Sequence, residues 1–417
     1  MEWIEEPERK IPVLSNVELL VCGGGVAGGA AAVCAARNGV GVLLIEKNGF
    51  LGGLVTSALV ITTPPLDNGI NLEISKRMKE KAAYSPCLNS GEEIEWLNMH
   101  AIDPEIFKIE YTKMLQEAGV DILLHTYIVG TIMDGHIIKG AIIENKAGRQ
   151  AILFKMVIDA TGDEDIAAFS GAPFKKVKKP MTLMFNMVGV NVPVVIQNIG
   201  NWGNLKKVVR EGINKGELLF ELGTQMDFGA PGVHAEKLVY DDEINVWSGN
   251  LLNMDGLNPK EVTTAELVTR EHAVRLASFL KKRIPGFEKS RIEYTAPHVG
   301  IRATRQIIGR SSPSMKDVMA NKFKDTAVKP YVGADLRLPY GSLLPQNVDN
   351  LLVAGRCISA QEEAMGQLRL IPVCSATGQT AGTAAALALK QNISPCQLEA
   401  PLLQKILGNQ GVNLGLD

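Results

Sequence analysis

The sequence predicts an α/β fold in two parts: a Rossmann-like nucleotide domain carrying a three-stranded antiparallel meander, and an α+β domain inserted into it. Three observations carry that prediction. A glycine-rich turn, Cys22-Gly23-Gly24-Gly25-Val26-Ala27-Gly28, joins the apolar run Val17 to Val21 to a small-residue helix, Ala30 to Arg37. Two hairpin signals, Asp134-Gly135 and Ala147-Gly148, divide three short β-type runs. A further short strand and small-residue helix, Leu351 to Val353 and Gly378 to Leu389, return near the C-terminus.

The first unit reads as a dinucleotide site. Gly23 permits the tight turn, Gly25 keeps a side chain out of the space of a pyrophosphate, and Gly28 lets the helix pack on the strand. Val26, Ala27 and Gly28 lead into the helix, whose unpaired N–H groups and positive end favour a diphosphate. The next strand, Val40 to Ile45, ends in Glu46, a carboxylate placed to accept from both ribose hydroxyls and to repel a 2′-phosphate, which makes NADP the poorest fit. Lys47 follows it. In Asn48 to Ser57 three glycines, Gly49, Gly52 and Gly53, allow backbone to approach a flat ligand closely, with Thr56 beside them.

The elements that follow are read in order. Ile61 to His100 is rich in turn formers and charge, with helix expected over Leu72 to Ala82. Asp103 to Gly119 has Ile106, Phe107, Ile109, Met114 and Leu115 at helical spacing. Val120 to His125 reads as a buried strand, and Tyr127 to Met133, His136 to Asn145 and Gln150 to Phe154 form the meander. Met156 to Asp159 is a separate apolar strand ending in the turn Ala160-Thr161-Gly162-Asp163. Arg270 to Ile284 reads as a helix stopped by Pro285-Gly286.

Composition narrows the function classes. The 417 residues are 46% hydrophobic and 21% charged, enough for a large core and two domains. A formal net charge of −2 with mixed signs gives no basic field for nucleic acid, and the dense run Lys175 to Lys179 reads as a solvated loop. No apolar run reaches the roughly 18 residues of a membrane span, and the acidic start Met1 to Glu6 lacks a signal layout, so the expected location is cytoplasmic. Six cysteines without a C-x-x-C pair argue against disulfide, zinc or iron–sulfur frameworks.

Several segments together carry a resemblance. The opening motif with Glu46, the meander, the Ala160-Thr161-Gly162-Asp163 turn, the segment Asn350-Leu351-Leu352-Val353-Ala354-Gly355-Arg356-Cys357-Ile358-Ser359, and the stretch from Arg369 through Gly378-Gln379-Thr380 to Ala384 resemble the FAD-dependent oxidoreductase family of the glutathione-reductase-like superfamily, which includes fumarate-reductase-like flavoproteins and the flavin subunit of heterodisulfide reductase. The resemblance implies a discontinuous FAD-binding domain, 1–179 with 341–417, and a substrate or cap domain over 180–340. It implies non-covalent FAD held by the residues named above together with Gly355 and Arg356, and a C-terminal helix beginning at Gly378 whose N-terminus faces the pyrimidine side of the flavin. It places Tyr340, in Asp335 to Leu344, near the ring edge.

The same resemblance covers Gly300-Ile301-Arg302-Ala303-Thr304-Arg305. Arg302 and Arg305, three apart, present two guanidinium groups on one side, for a substrate carboxylate or a developing anion, or else bridge two domains. His298 is a proton carrier or a structural residue. Glu362 stands where relatives carry a histidine, and Arg369 completes the catalytic candidates. Phe185, Trp202, Phe220, Phe228 and Trp247 either line a pocket over the flavin or form core. The expected activity is hydride transfer between a small-molecule substrate and flavin N5 at a C–C, C–O or C–N bond, with electrons exchanged with oxygen, a nicotinamide or a redox partner protein. The alternatives are an electron-transfer subunit of an iron–sulfur partner and a dinucleotide-binding protein without chemistry. Oligomeric association is compatible with all three.

Overall fold

The computed structural model describes residues 3–91, 98–218, 226–227, 233–320, 323–333 and 335–416. Its largest element is a seven-stranded sheet. Strand β1 (Val13–Cys22) leads through helix α1 (Val26–Arg37) to β2 (Val42–Ile45), and helix α2 (Pro104–Glu117) leads to β3 (Asp121–Leu123). The meander is β4 (Tyr127–Asp134), β5 (Ile137–Asn145) and β6 (Gly148–Asp159). The order is β3-β2-β1-β6-β5-β4, parallel from β3 to β6 and antiparallel beyond.

Strand β6 corrects the reading of two separate strands. Its first half pairs antiparallel with β5, while Val157, Ile158 and Asp159 pair parallel with β7 (Leu351–Val353), and β1 runs along its other edge from Ala151 to Asp159. Lys155, which lies between the two runs, is exposed between buried Phe154 and Met156 and continues the strand. The expected buried strand near Val120 is also corrected: β3 is the sheet's edge, and its residues run from exposed to half-buried. Helix α2 begins as expected, with Asp103 as N-cap accepting from the N–H groups of Glu105 and Ile106. The helix expected near Leu72 spans Ile70–Glu80.

A second sheet carries the inserted part. Strands β8 (Met184–Val188), β9 (Val233–Lys237), β10 (Ile244–Ser248) and β11 (Arg291–Thr295) pair antiparallel in the order β9-β10-β8-β11. Its apolar face, with Phe185, Met187, Ala235, Ile244 and Val246, packs under helix α3 (Pro259–Arg283) through Ala273, Leu276 and Leu280. Helix α3 starts eleven residues before the expected Arg270, because Asn258 caps it and Pro259 sits where its missing N–H costs nothing. Phe185 and Trp202 are fully buried core, whereas Phe220 and Phe228 lie outside the described residues. Trp247 is half-buried and donates to Asn245. The core of the first domain also draws on Val318, Ala327, Val328, Leu336 and Leu338, so the C-terminal part of the interval 180–340 packs on the nucleotide domain.

Candidate active site

The carboxyl ends of β1, β2, β6 and β7 lie along one edge of the sheet, on either side of the point where the strand order reverses direction. That edge is where an open α/β sheet binds ligands, and of the expected cofactor residues Gly23 to Gly28, Glu46, Ala160 to Asp163, Gly355 and Arg356 directly follow the strands that end there.

The glycines of the β1–α1 turn have separate tasks. A Cβ on Gly28 would lie 1.8 Å from the Gly23 carbonyl oxygen, and one on Gly23, whose φ is +100°, would lie 2.5 Å from the Ala160 oxygen. These two are glycine because protein backbone is in the way. At Gly25 the backbone is ordinary, φ −69° and ψ 179°, and a Cβ would meet only Gly53 Cα at 3.6 Å. No protein neighbour requires Gly25 to lack a side chain. Gly25 is the N-cap of α1 and offers no side-chain cap, so the first-turn N–H groups are left for another acceptor. The cradle therefore fits a diphosphate. Tyr111 of α2 buttresses it by donating to the Val26 carbonyl at 2.7 Å, a role that a tyrosine on a helix face did not announce.

Glu46 is buried and fixed by two backbone donors, Gly24 N–H at 2.6 Å on one oxygen and Asn48 N–H at 2.8 Å on the other. Each oxygen keeps a further lone pair, which suits ribose hydroxyls. The glycines after it answer to protein: Gly49 makes room for the His125 ring, Gly52 for Thr56, and Gly53 for Gly25. Thr56 donates to the Leu51 carbonyl at 2.8 Å, and Lys47 is exposed.

The β6 turn concentrates charge. Asp159, fully buried, accepts from Thr161 N–H, Thr161 Oγ1 and Ala167 N–H; burial nevertheless pushes its carboxyl up to about 6. Burial pushes Asp163 the same way, but Arg356 at 3.0 Å and the Thr304 hydroxyl at 2.6 Å outweigh it and leave it below the usual carboxylate range. Glu164 is fully buried with φ +58°, and among the described residues neither carboxyl oxygen has a hydrogen-bond partner of good geometry, the Ile307 N–H being the backbone donor nearest to bonding it. Burial first, and Asp159 second, push it up to about 10. Gly162 and Gly355 both have positive φ, and Arg356, packed on Gly162, leaves Nη1 buried without a partner among the described residues. That orphan donor also fits an anionic or carbonyl-bearing ligand.

The two arginines expected to work as a pair diverge. Arg305 turns to the β6 turn, donating to the Asp163 carbonyl at 2.8 Å and pairing with Asp165 at 3.0 Å, which is the bridging role. Arg302 turns to the inserted domain and donates to the Pro180 carbonyl at 2.7 Å and Asn250 Oδ1 at 2.9 Å. Its charged neighbour is Arg369. Burial, then the Arg369 charge, pushes Arg302 down to about 9, and burial, then Arg356, pushes Arg369 down as well. A guanidinium keeps its proton at neutral pH, and neither arginine forms a salt bridge among the described residues.

Other candidates have different surroundings from those expected. Glu362 is exposed and pairs with Lys179 at 2.6 Å, which places it in a solvent ion pair. His298 is anchored by its N–H on the Ser57 carbonyl and its Nδ1 near the Val299 oxygen, and burial holds it below its ordinary value. Tyr340 is buried and donates to the Pro395 carbonyl at 3.0 Å, so its hydroxyl faces core. Helix α4 (Ile371–Gln391) starts at Ile371 rather than Gly378. Gly378 is thus interior and lies against the Ala27 backbone, Gln379 accepts from Ile70 N–H, and Thr380 donates to the Ala327 carbonyl. The uncapped positive end of α4 is instead at Leu370, next to Arg369.

Comparison with known proteins agrees with this geometry. A family model described as FAD dependent oxidoreductase matches residues 18–335 and 328–407. A digeranylgeranylglycerophospholipid reductase of Methanosarcina acetivorans is 30% identical over 154 residues, 35% of this chain and 38% of that protein. One from Picrophilus torridus is 28% identical over 162 residues, 36% of this chain and 40% of its own. The matches thus span about two-fifths of the length of these relatives. Among solved structures, a geranylgeranyl bacteriochlorophyll reductase-like protein from Thermoplasma acidophilum superposes with a TM-score of 0.52 at 16% identity, covering 95% of this chain and 92% of its own. A p-nitrophenol 4-monooxygenase from Pseudomonas putida gives 0.50 at 13% identity, covering 95% and 85%. At these identities the structures establish the fold.

Proposed function

The chain belongs to the FAD dependent oxidoreductase family, and from that premise we propose that it holds FAD non-covalently and moves a hydride between flavin N5 and a small anionic substrate. The observation that carries the anionic substrate is the Arg302–Arg369 group, two partly buried guanidinium groups repelling one another beside the start of α4 with no carboxylate bonded to either among the described residues. A carboxylate or enolate oxygen there removes the repulsion and stabilises negative charge as it develops.

Bound FAD supplies the two-electron centre. The chain supplies the rest. The first-turn N–H groups of α1 hold the diphosphate, Glu46 accepts from the ribose, and Arg356 offers its free Nη1. The Pro180 carbonyl and Asn250 hold Arg302 in place, so that the guanidinium is aimed before substrate arrives. His298, held toward its neutral form by burial, is available as a proton carrier near Ser57. The bond acted on is C–C, C–O or C–N; the word reductase in the relatives' names supports reduction of substrate, with electrons drawn from a nicotinamide or a redox protein.

The test is anaerobic flavin bleaching, and reoxidation by carboxylate acceptors, in wild type and Arg302→Met. We expect FAD to be released intact on denaturation, the variant to retain full FAD, and its flavin to exchange electrons with substrate about 10²-fold more slowly. A variant that loses only thermal stability, with unchanged rates, would leave Arg302 as an interdomain tie and remove the anionic substrate.

A further inference from the structure

A cleft lies outside the glycine cradle and the arginine group. It has a volume of about 280 Å³ and opens where the segment Ile102–Glu105 of the first domain faces the second sheet. Its walls include Asp103, Val188, Leu238, Tyr240, Glu243 and Tyr294. We propose that this cleft binds a small organic ammonium ion, with its cationic head on Glu243 and its carbon body against the two tyrosine rings.

The charge argument begins with Glu243. It is only 9% exposed, and Oε1 accepts from the Asn186 amide at 2.9 Å, while Oε2 has no hydrogen-bond or ion-pair partner among the described residues. That oxygen is free to accept from a donor in the cleft. The other acids of the cleft already have partners. Asp103 is occupied by the α2 cap and by the Tyr240 hydroxyl at 3.0 Å, Glu105 by Lys108 at 2.6 Å, and Glu293 by Arg291. Burial, and after it the negative Asp103, Asp242 and Glu293, push its carboxyl up, and the Asn186 amide opposes them; Lys108 and Arg291 stand at the cleft as partners of Glu105 and Glu293. A cation is the charge this field favours.

The shape argument selects an organic cation. The described residues contain no group of three side chains arranged to hold a metal ion. Val188, Leu238 and the rings of Tyr240 and Tyr294 instead give an apolar wall with π-faces, which suits an alkyl or aryl body behind an ammonium head. The cleft's volume limits that body to a small one. The proposal does not depend on the identity of the flavin substrate.

The experiment titrates the FAD-loaded protein with benzylammonium chloride, using benzyl alcohol as the neutral probe of nearly the same shape. Saturable benzylammonium binding is expected, with benzyl alcohol weaker by at least about tenfold. Glu243→Gln should weaken benzylammonium by a similar factor while leaving the flavin content and its bleaching rate unchanged. Val188→Phe, which fills the cleft and keeps the carboxylate, should abolish binding and serves if the first variant fails to fold. Equal affinity for the two probes, failure of benzylammonium to saturate, or unaltered binding in the folded variants would each overturn the proposal.

Discussion

Two glycines of one motif make opposite predictions. Gly28 and Gly25 stand three residues apart, yet Gly28 is crowded by the Gly23 carbonyl whereas Gly25 has a permissive backbone and no crowding atom. Gly28→Ala should therefore cost about 1–3 kcal/mol of stability with or without cofactor. Gly25→Ala should leave the apoprotein's denaturation midpoint nearly unchanged, within about 0.5 kcal/mol, and lower FAD retention. Chemical denaturation of apoprotein beside flavin absorbance of the purified protein separates the two; equal loss of stability in both variants would mean that Gly25 too serves the fold. At Glu164 the sign runs through pH. Its carboxyl titrates near 10 when folded against an ordinary value of about 4.5, so the folded state keeps a proton that the unfolded state releases. That costs no stability below pH 4.5 and costs increasingly more from there up to about 10. Glu164→Gln, which cannot ionise in either state, should raise unfolding free energy by roughly 3 kcal/mol at pH 7, with the gain vanishing near pH 4. Parallel pH profiles for the two proteins would show that Glu164 is charged in the fold. The glycine turn and Glu46 were legible in the sequence because their chemistry is local. The orphaned Glu164 was not, since its surroundings come from the β6 turn and the distant Ile307 and Cys357 segments.

Between elements, the tightest joint is α1 against α4. Gly378 and Gly382, one turn apart, face the backbone of Ala27 and Ala31, and a Cβ at either would sit 2.0–2.1 Å from a carbonyl oxygen. Small residues at that spacing let two helices approach at backbone distance. Gly382→Val should thus cost several kcal/mol and reduce soluble yield, whereas Gly366→Val, where a Cβ meets nothing within 4 Å, should be tolerated. A folded Gly382→Val protein of unchanged midpoint would contradict the close joint. The helix itself was legible as small residues from Gly378, but its start was not: the helix begins at Ile371 with Pro372 in the first turn, where proline is at home. For the same reason Gln379 and Thr380 looked like ligands of a helix end when they are bonded to Ile70 and Ala327. Strand β6 was split at Lys155, which is exposed between buried neighbours within one continuous strand.

At the scale of the molecule, the β6 turn ties the two cores. Thr304 donates to Asp163, Arg305 to the Asp163 carbonyl and to Asp165, and Arg356 to Asp163 from the C-terminal segment. Three segments far apart in sequence meet at a turn that also belongs to the cofactor edge. Asp163, Arg305 and Arg356 stood out in the sequence, whereas Thr304 and Asp165 did not, and spacing put Arg302 and Arg305 on one side while the fold turns them to different partners. Two stabilities should consequently be coupled. Bound FAD at 100-fold its dissociation constant adds about 2.7 kcal/mol to the folded state, so its removal lowers the unfolding midpoint. Arg305→Ala removes a bridge to Asp165 that is partly buried on the arginine side. If Arg305 only ties segments together, it lowers apoprotein and FAD-loaded protein equally. Should it also hold the turn in the shape that FAD requires, the variant loses more in the loaded protein, and its FAD dissociation constant rises by the factor corresponding to that difference. Thermal unfolding of both forms, with and without the substitution, completes the cycle. A zero coupling term leaves Arg305 a strut, and a term above about 0.5 kcal/mol makes the junction between the cores part of the flavin site.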